Sequence, residues 1–364
     1  MKIISRLSCL LSILFFTSLH LNAQGTYGKT DIVDLALIYQ GGEHRSSYTW
    51  TKERFNPYLV HESMNGKKNW LFDGFLFLEF KDGKGRNYAP GYDKMNARKV
   101  EWEWLLDRKF AKDTAFHALN DAIGEQIQTI GKPHFKHKLV VGIPSPILDQ
   151  QDWGTLNGKQ LDFRKPADRL EASKWYIDQF IDRYNQSDLP HLKFSGFYWV
   201  DEDIRGCADI LKPIGDYVRS KGYKFYWIPY WKAQGYDQWK ELGFDFAWLQ
   251  PNHFFNDKVP DERVDEACAL AKSLGMGMEM EFDDRALMQS KDQKRGRLST
   301  YINSFVKNNV FTESSIAYYQ GGDALYKLAK SSDPKDREIL DELAKRIIER
   351  KEKKTYKKLI KKAK

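Results

Sequence analysis

Met276-Gly277-Met278-Glu279-Met280-Glu281-Phe282-Asp283 alternates between apolar and acidic side chains. A period of two marks an extended strand, whose successive side chains leave on opposite faces. Met278, Met280 and Phe282 share one face and suit contact with helices. Glu279, Glu281 and Asp283 share the other. Acids inside a sheet are costly unless they are paired, protonated or close to water. The strand therefore belongs to a fold whose inner space is wet at one end. The residues before it, 263–273, carry helical spacing, and Gly275 is placed to stop that helix.

The same unit recurs on both sides. Strand-like apolar and aromatic runs occupy residues 32–40, 70–80, 137–144, 194–201, 224–230, 244–250, 277–283 and 315–320. Helical spacing lies between them, most clearly at 167–185, 208–220 and 263–273, and 301–306 ends the last such helix. Strand–helix alternation implies parallel pairing with right-handed crossovers, and eight repeats close a barrel. The expected fold is an α/β (β/α)8 TIM-like barrel over residues 24–332. An open doubly wound sheet is the alternative, but Gly41-Gly42-Glu43 after the first run is no Gly-x-Gly-x-x-Gly fingerprint. Tyr39-Gln40-Gly41-Gly42 and Tyr319-Gln320-Gly321-Gly322 end the first and last runs, which become neighbours once a barrel closes.

Composition agrees with a large folded body. The chain has 364 residues, 41% hydrophobic and 30% charged, which excludes a disordered chain and a polytopic membrane protein. Its net charge of +8 is unevenly placed: residues 345–364 carry eleven Lys/Arg against two Glu, and Lys2 and Arg6 lie in the first 23 residues, leaving −3 for the remainder. A nucleic-acid-binding body is not expected. Lys2 and Arg6 followed by the apolar run 7–21 and Ala23 resemble a cleaved signal peptide over 1–23. That implies a periplasmic or secreted protein without stable membrane insertion after cleavage. Residues 333–364 read as a basic C-terminal helical tail, its end dense in lysine and solvated. Cys207 and Cys268 read as buried thiols.

In a barrel of this kind, chemistry collects where strands run into the following loops. The strand ends supply Tyr39, Arg45, Glu79, Trp199, Asp201, Glu202, Tyr230, Trp231, Gln250, Asn252, His253, Asp283 and Tyr319, besides Glu281. Carboxylates, amides and aromatic faces together suit a carbohydrate. Phe197-Tyr198-Trp199-Val200 runs into Asp201-Glu202-Asp203, where crowded acids raise one another's proton affinity, as a general acid requires. Asp203 is expected to cap the next helix. Tyr88, Tyr92 and Trp153, on long loops, are expected to shape the cleft. The alternative for Glu279, Glu281 and Asp283 is pairing with a structural Arg or Lys inside the barrel.

Asp201-Glu202 after the fourth strand and Glu281 after the seventh resemble the arrangement of the large glycoside hydrolase clan of (β/α)8 enzymes. The resemblance implies Glu202 as acid/base and Glu281 as nucleophile; Asp201 stands where that clan has Asn. Across the body, Gly196-Phe197-Tyr198-Trp199-Val200-Asp201-Glu202, Trp227-Ile228-Pro229-Tyr230 and Trp248-Leu249-Gln250-Pro251-Asn252 resemble a family of secreted Bacteroidetes proteins, domain of unknown function 4855. That resemblance implies a role with polysaccharides and names no reaction.

These readings lead to a secreted glycoside hydrolase with a two-carboxylate mechanism, its partner a carbohydrate substrate. A non-catalytic glycan-binding protein on the same barrel is the alternative. A lyase using a Tyr/His pair is a third. No cofactor is implied. His134 and His137 have a His-x-x-His spacing without a matching Glu motif, so no metal is expected.

Overall fold

The computed structural model describes residues 25–63 and 65–360. The expected signal peptide lies outside the described residues. Eight parallel strands form a closed barrel in chain order. They are β1 Asp34–Tyr39, β2 Gly74–Leu78, β3 His137–Ile143, β4 Leu192–Trp199, β5 Lys224–Trp227, β6 Phe246–Leu249, β7 Gly277–Glu281 and β8 Ile316–Tyr319. Closure pairs β1 with β8, Ala36 opposite Tyr318. The two Tyr-Gln-Gly-Gly segments thus meet, with the Tyr39 and Tyr319 rings edge to face at 5.6 Å.

Helices α1 Lys52–Leu59, α2 Lys99–Lys109, α3 Ala115–Ile130, α4 Pro166–Gln186, α5 Ala208–Ser220, α6 Glu262–Leu274, α7 Arg295–Lys307, α8 Val310–Glu313, α9 Ala324–Lys330, α10 Pro334–Lys351 and α11 Lys353–Leu359 complete the fold. None among the described residues is long and apolar enough to cross a membrane. Two apolar layers result. Met278, Met280 and Phe282 join the layer between strands and helices. Leu35, Leu37, Val140, Tyr198, Tyr226 and Trp248 fill the barrel interior. Cys207 and Cys268 are buried free thiols.

β4 carries the feature that aims the site. Phe194 pairs with Leu139 and Gly196 with Val140, so Ser195 is an extra residue. A bulge of this kind reverses the phase of alternation. Leu192 and Phe194 face the helices before it; Phe197 and Trp199 do so after it, and Tyr198 and Val200 point inward. Trp199 was expected in the site and is instead fully buried among the helices. Gly196 sits at the bulge with φ +159°, and a Cβ there would lie 2.0 Å from the Lys224 carbonyl oxygen.

The expected solvated basic tail is corrected in part: Lys353, Lys354, Lys357 and Lys358 are exposed as expected, but Arg350 and Lys351 are not. The chain breaks at Glu352 between α10 and α11. Arg350 and Lys351 are buried at the end of the barrel opposite the strand C-termini. Arg350 Nε donates to Asp34 at 2.8 Å, Lys351 Nζ to Asp34 at 2.6 Å and to Asp73 at 2.5 Å, and the Tyr356 hydroxyl donates to Asp73 at 2.8 Å. Two fully buried carboxylates need cations and donors, and the C-terminal helices deliver them.

Candidate active site

At the C-terminal ends of the strands two adjoining cavities open, of about 300 Å³ and about 330 Å³. Tyr92 and Glu202 line both. The first is walled by Tyr39, Glu79, Phe80 and Lys81 on one side and Gln250, Asn252, Phe255 and Tyr319 on the other, with Arg45 and with Glu279 and Glu281. The second adds Asp201, Asp203, Arg205 and Tyr230. Tyr92, from the long loop after β2, lies parallel to Phe80 with ring centroids 4.3 Å apart. Phe255 meets Tyr319 edge to face at 5.4 Å.

Glu281, at the last position of β7, lies 2% exposed. The Tyr301 hydroxyl of α7 donates to it at 2.5 Å and the His253 backbone N–H at 3.4 Å. Burial raises its proton affinity, these two donors oppose the rise, and the Glu202 charge adds to it; the balance stands at about 7. Glu279, one layer deeper, is also 2% exposed, and its Oε1 has no partner. Burial, then Glu281, then Glu202 push its pKa well up.

Glu202 is partly accessible from the cavities. Gln250 Nε2 donates to its Oε1 at 3.0 Å and also to the Ile228 carbonyl at 3.1 Å. Asn252 Nδ2 in turn donates to Gln250 Oε1 at 3.1 Å, and Asn252 Oδ1 accepts the Trp231 N–H at 2.6 Å. Gln250 and Asn252 thus hold Glu202 in place rather than offering free amides. Burial raises the Glu202 pKa, Gln250 opposes this, and the Asp203 charge adds. Asp201 is pushed up to about 7, chiefly by burial, although the Ser145 hydroxyl donates to it at 2.7 Å.

Arg45 and Glu79 answer to each other: Arg45 Nε donates to Glu79 at 2.6 Å, and the guanidinium lies 4.7 Å from the Tyr39 ring centroid. Among the described residues Glu202, Glu279 and Glu281 form no such pair, and no cation is among the main influences on their proton affinity. The alternative of structural ion pairs therefore does not describe Glu279 or Glu281, whereas Asp283 does pair, with Arg285.

Other expected residues fall elsewhere. His253 is fully buried, its ring against Asp261 at 2.7 Å, and contributes only its main-chain N–H. Asp283 lies beyond the end of β7, where the alternation stops; it caps a short turn and binds Arg285. Trp231 packs beneath Arg263, 4.6 Å from the ring centroid. Asp203 does not cap α5, whose N-cap is Cys207; it accepts from the Arg205 backbone and the Tyr230 hydroxyl instead. Tyr88 and Trp153 belong to the core, leaving Tyr92 as the aromatic loop residue at the rim. His134 Nε2 donates to the Lys351 carbonyl at 2.5 Å, while His137 is buried against Trp70, Phe75 and Phe135. Among the described residues no three His, Cys, Asp or Glu group as metal ligands. Tyr92 lines the cleft as its loop position led one to expect, whereas Phe80, Phe255 and Tyr301 were missed. Phe255 lies on a loop and Tyr301 on a helix, where the period of two carries no information.

The class defined here is a closed (β/α)8 barrel with a carboxyl-lined, aromatic-rimmed mouth. The chain belongs to the DUF4855 family, a domain of unknown function, whose model matches residues 34–345. No curated protein matches it. Similar solved structures include a mutant tryptophan synthase α-subunit from Pyrococcus furiosus at 10% identity and TM-score 0.35, covering 88% of this chain and 97% of that one. A second mutant of that subunit gives 10% identity and TM-score 0.38 over 88% and 97%. The tryptophan synthase a2b2 complex from the same organism gives 9%, 0.35, 88% and 99%. The barrel assignment rests on the strand order itself.

Proposed function

We propose that this protein is a glycoside hydrolase acting on a poly- or oligosaccharide through Glu202 and Glu281. The observation that carries the reading is that both carboxyls, far apart in sequence, line one aromatic-rimmed cavity without a cation partner. Such carboxyls remain free to exchange protons and to attack carbon, and aromatic faces accept the C–H faces of a sugar ring. Glu281, held by Tyr301 and the His253 N–H, is the nucleophile. Both donors favour its ionised form. Glu202, held by Gln250, is the acid/base. It gives its proton to the glycosidic oxygen as Glu281 attacks the anomeric carbon and the bond to the leaving sugar breaks. Water, deprotonated by Glu202, then displaces Glu281 and restores both groups. This is the retaining course.

Glu202→Gln and Glu281→Gln are expected to lower kcat by at least about a hundredfold each on a cleaved glycan, with unfolding temperature and sugar affinity kept. Near-parental turnover in either variant removes the assignment. The second reading, a glycan-binding barrel without turnover, is supported by the same rim; it predicts saturable binding and no new reducing ends after prolonged incubation.

A further inference from the structure

A two-carboxylate reaction accounts for Glu202 and Glu281 and leaves Glu279 without a task. Glu279 is 2% exposed, lines the same cavity, and keeps Oε1 without a partner of any kind. A carboxyl with an unsatisfied oxygen beside a cavity is costly, and a water or a ligand donor that reaches the carboxyl offsets the cost. The surrounding charge says which kind. Arg45 is neutralised by Glu79. Lys81 stands on the rim beside His44, whose proton affinity its charge depresses. The inner wall holds three carboxyls; burial first, then Glu281 and Glu202, raise the proton affinity of Glu279, and an ammonium beside it favours its return to the charged form. The rings of Tyr39 and Tyr319 line the same space, and the Tyr39 ring already lies 4.7 Å from the Arg45 guanidinium.

We infer that Glu279 is the anchor of a subsite for an ammonium group, and that the sugar this cavity accepts is an amino sugar with a free amine. The ammonium donates to the Glu279 carboxyl at the cavity wall and supplies the charge partner that Glu279 lacks among the described residues. An N-acetylated or hydroxyl-bearing sugar leaves that carboxyl without its counter-charge. The inference rests on the carbohydrate reading of the site and narrows its substrate class.

The test measures binding of monosaccharides to the full chain by ligand-observed NMR. Glucosamine and galactosamine are compared with N-acetylglucosamine, N-acetylgalactosamine, glucose and galactose. At least one amino sugar is expected to bind about tenfold or more tighter than its neutral counterparts. In Glu279→Gln that preference should fall by about tenfold, to near parity. Because Glu279 has no partner to lose, the variant should unfold at or above the parental temperature, which separates a lost subsite from a lost fold. Equal affinity for amino and neutral sugars, or a preference that survives Glu279→Gln, overturns the inference. A preference for amino sugars without any glycosidic cleavage keeps the subsite and removes the hydrolase; cleavage of neutral glycans without that preference does the reverse.

Discussion

Asp201 shows how one buried acid can be read by pH. Its pKa is pushed from an ordinary 3.8 to about 7, mainly by burial. The folded chain therefore binds more protons here than the unfolded chain between those values. The stability it contributes is present at low pH and is lost as pH rises toward and through 7. Asp201→Asn keeps an oxygen for the Ser145 hydroxyl and removes the titration. The variant is expected to match the parent near pH 4 and to exceed it at pH 8 by up to about 4 kcal/mol, read by chemical denaturation at both pH values. A variant no more stable at pH 8 shows that the acid is not held neutral. At this scale the sequence was informative about height and less so about direction. Strand-end position brings Tyr39, Arg45, Glu79, Gln250, Asn252, Glu281 and Tyr319 to one cavity with Glu202, and Asp201 and Tyr230 to the next. It misplaces His253 and Asp283 because the chain has already turned away from the barrel axis there.

At the scale of the element, β4 decides which acid faces the cavity. Without the extra Ser195, uninterrupted alternation from Leu192 and Phe194 would direct Tyr198 and Val200 toward the helices and Trp199 inward. With it, Trp199 is withdrawn and the inward phase passes from Tyr198 to Val200 and on toward Glu202. No signal in Phe194-Ser195-Gly196-Phe197 announces the bulge except the glycine, which is why Trp199 was misread while β7, free of any irregularity, was read correctly from Gly277 to Glu281. Gly196→Ala places a methyl 2.0 Å from the Lys224 carbonyl. It should cost roughly 3 kcal/mol or more and loosen the β4–β5 pairing. Hydrogen exchange of the Phe197 and Phe225 amides reports the loosening directly; unchanged protection there would mean that the two strands absorb the methyl by a small shift.

For the whole molecule, strand–helix alternation made the closed barrel legible, because eight units of matched hydrophobic period leave few other ways to bury every face. The role of the basic tail was hidden: a run of lysines looks the same whether it is solvated or seated on carboxylates that lie over 300 residues away. Arg350 and Lys351 fall past residue 345, where the family match ends, yet they neutralise Asp34 and Asp73. Lys351→Met is expected to destabilise by about 3–5 kcal/mol, the range for removing one partner of a buried ion pair, with the midpoint of urea unfolding as the measure. A midpoint shift within error would mean that Arg350 and Tyr356 suffice for both acids. The same contacts carry a temporal consequence. A chain made from its N-terminal side emerges with Asp34 in its first barrel strand and waits through 316 further residues for Arg350. β8 arrives at residues 316–319, before the counter-charges Arg350 and Lys351, so the burial of Asp34 is completed only after every barrel strand has been made.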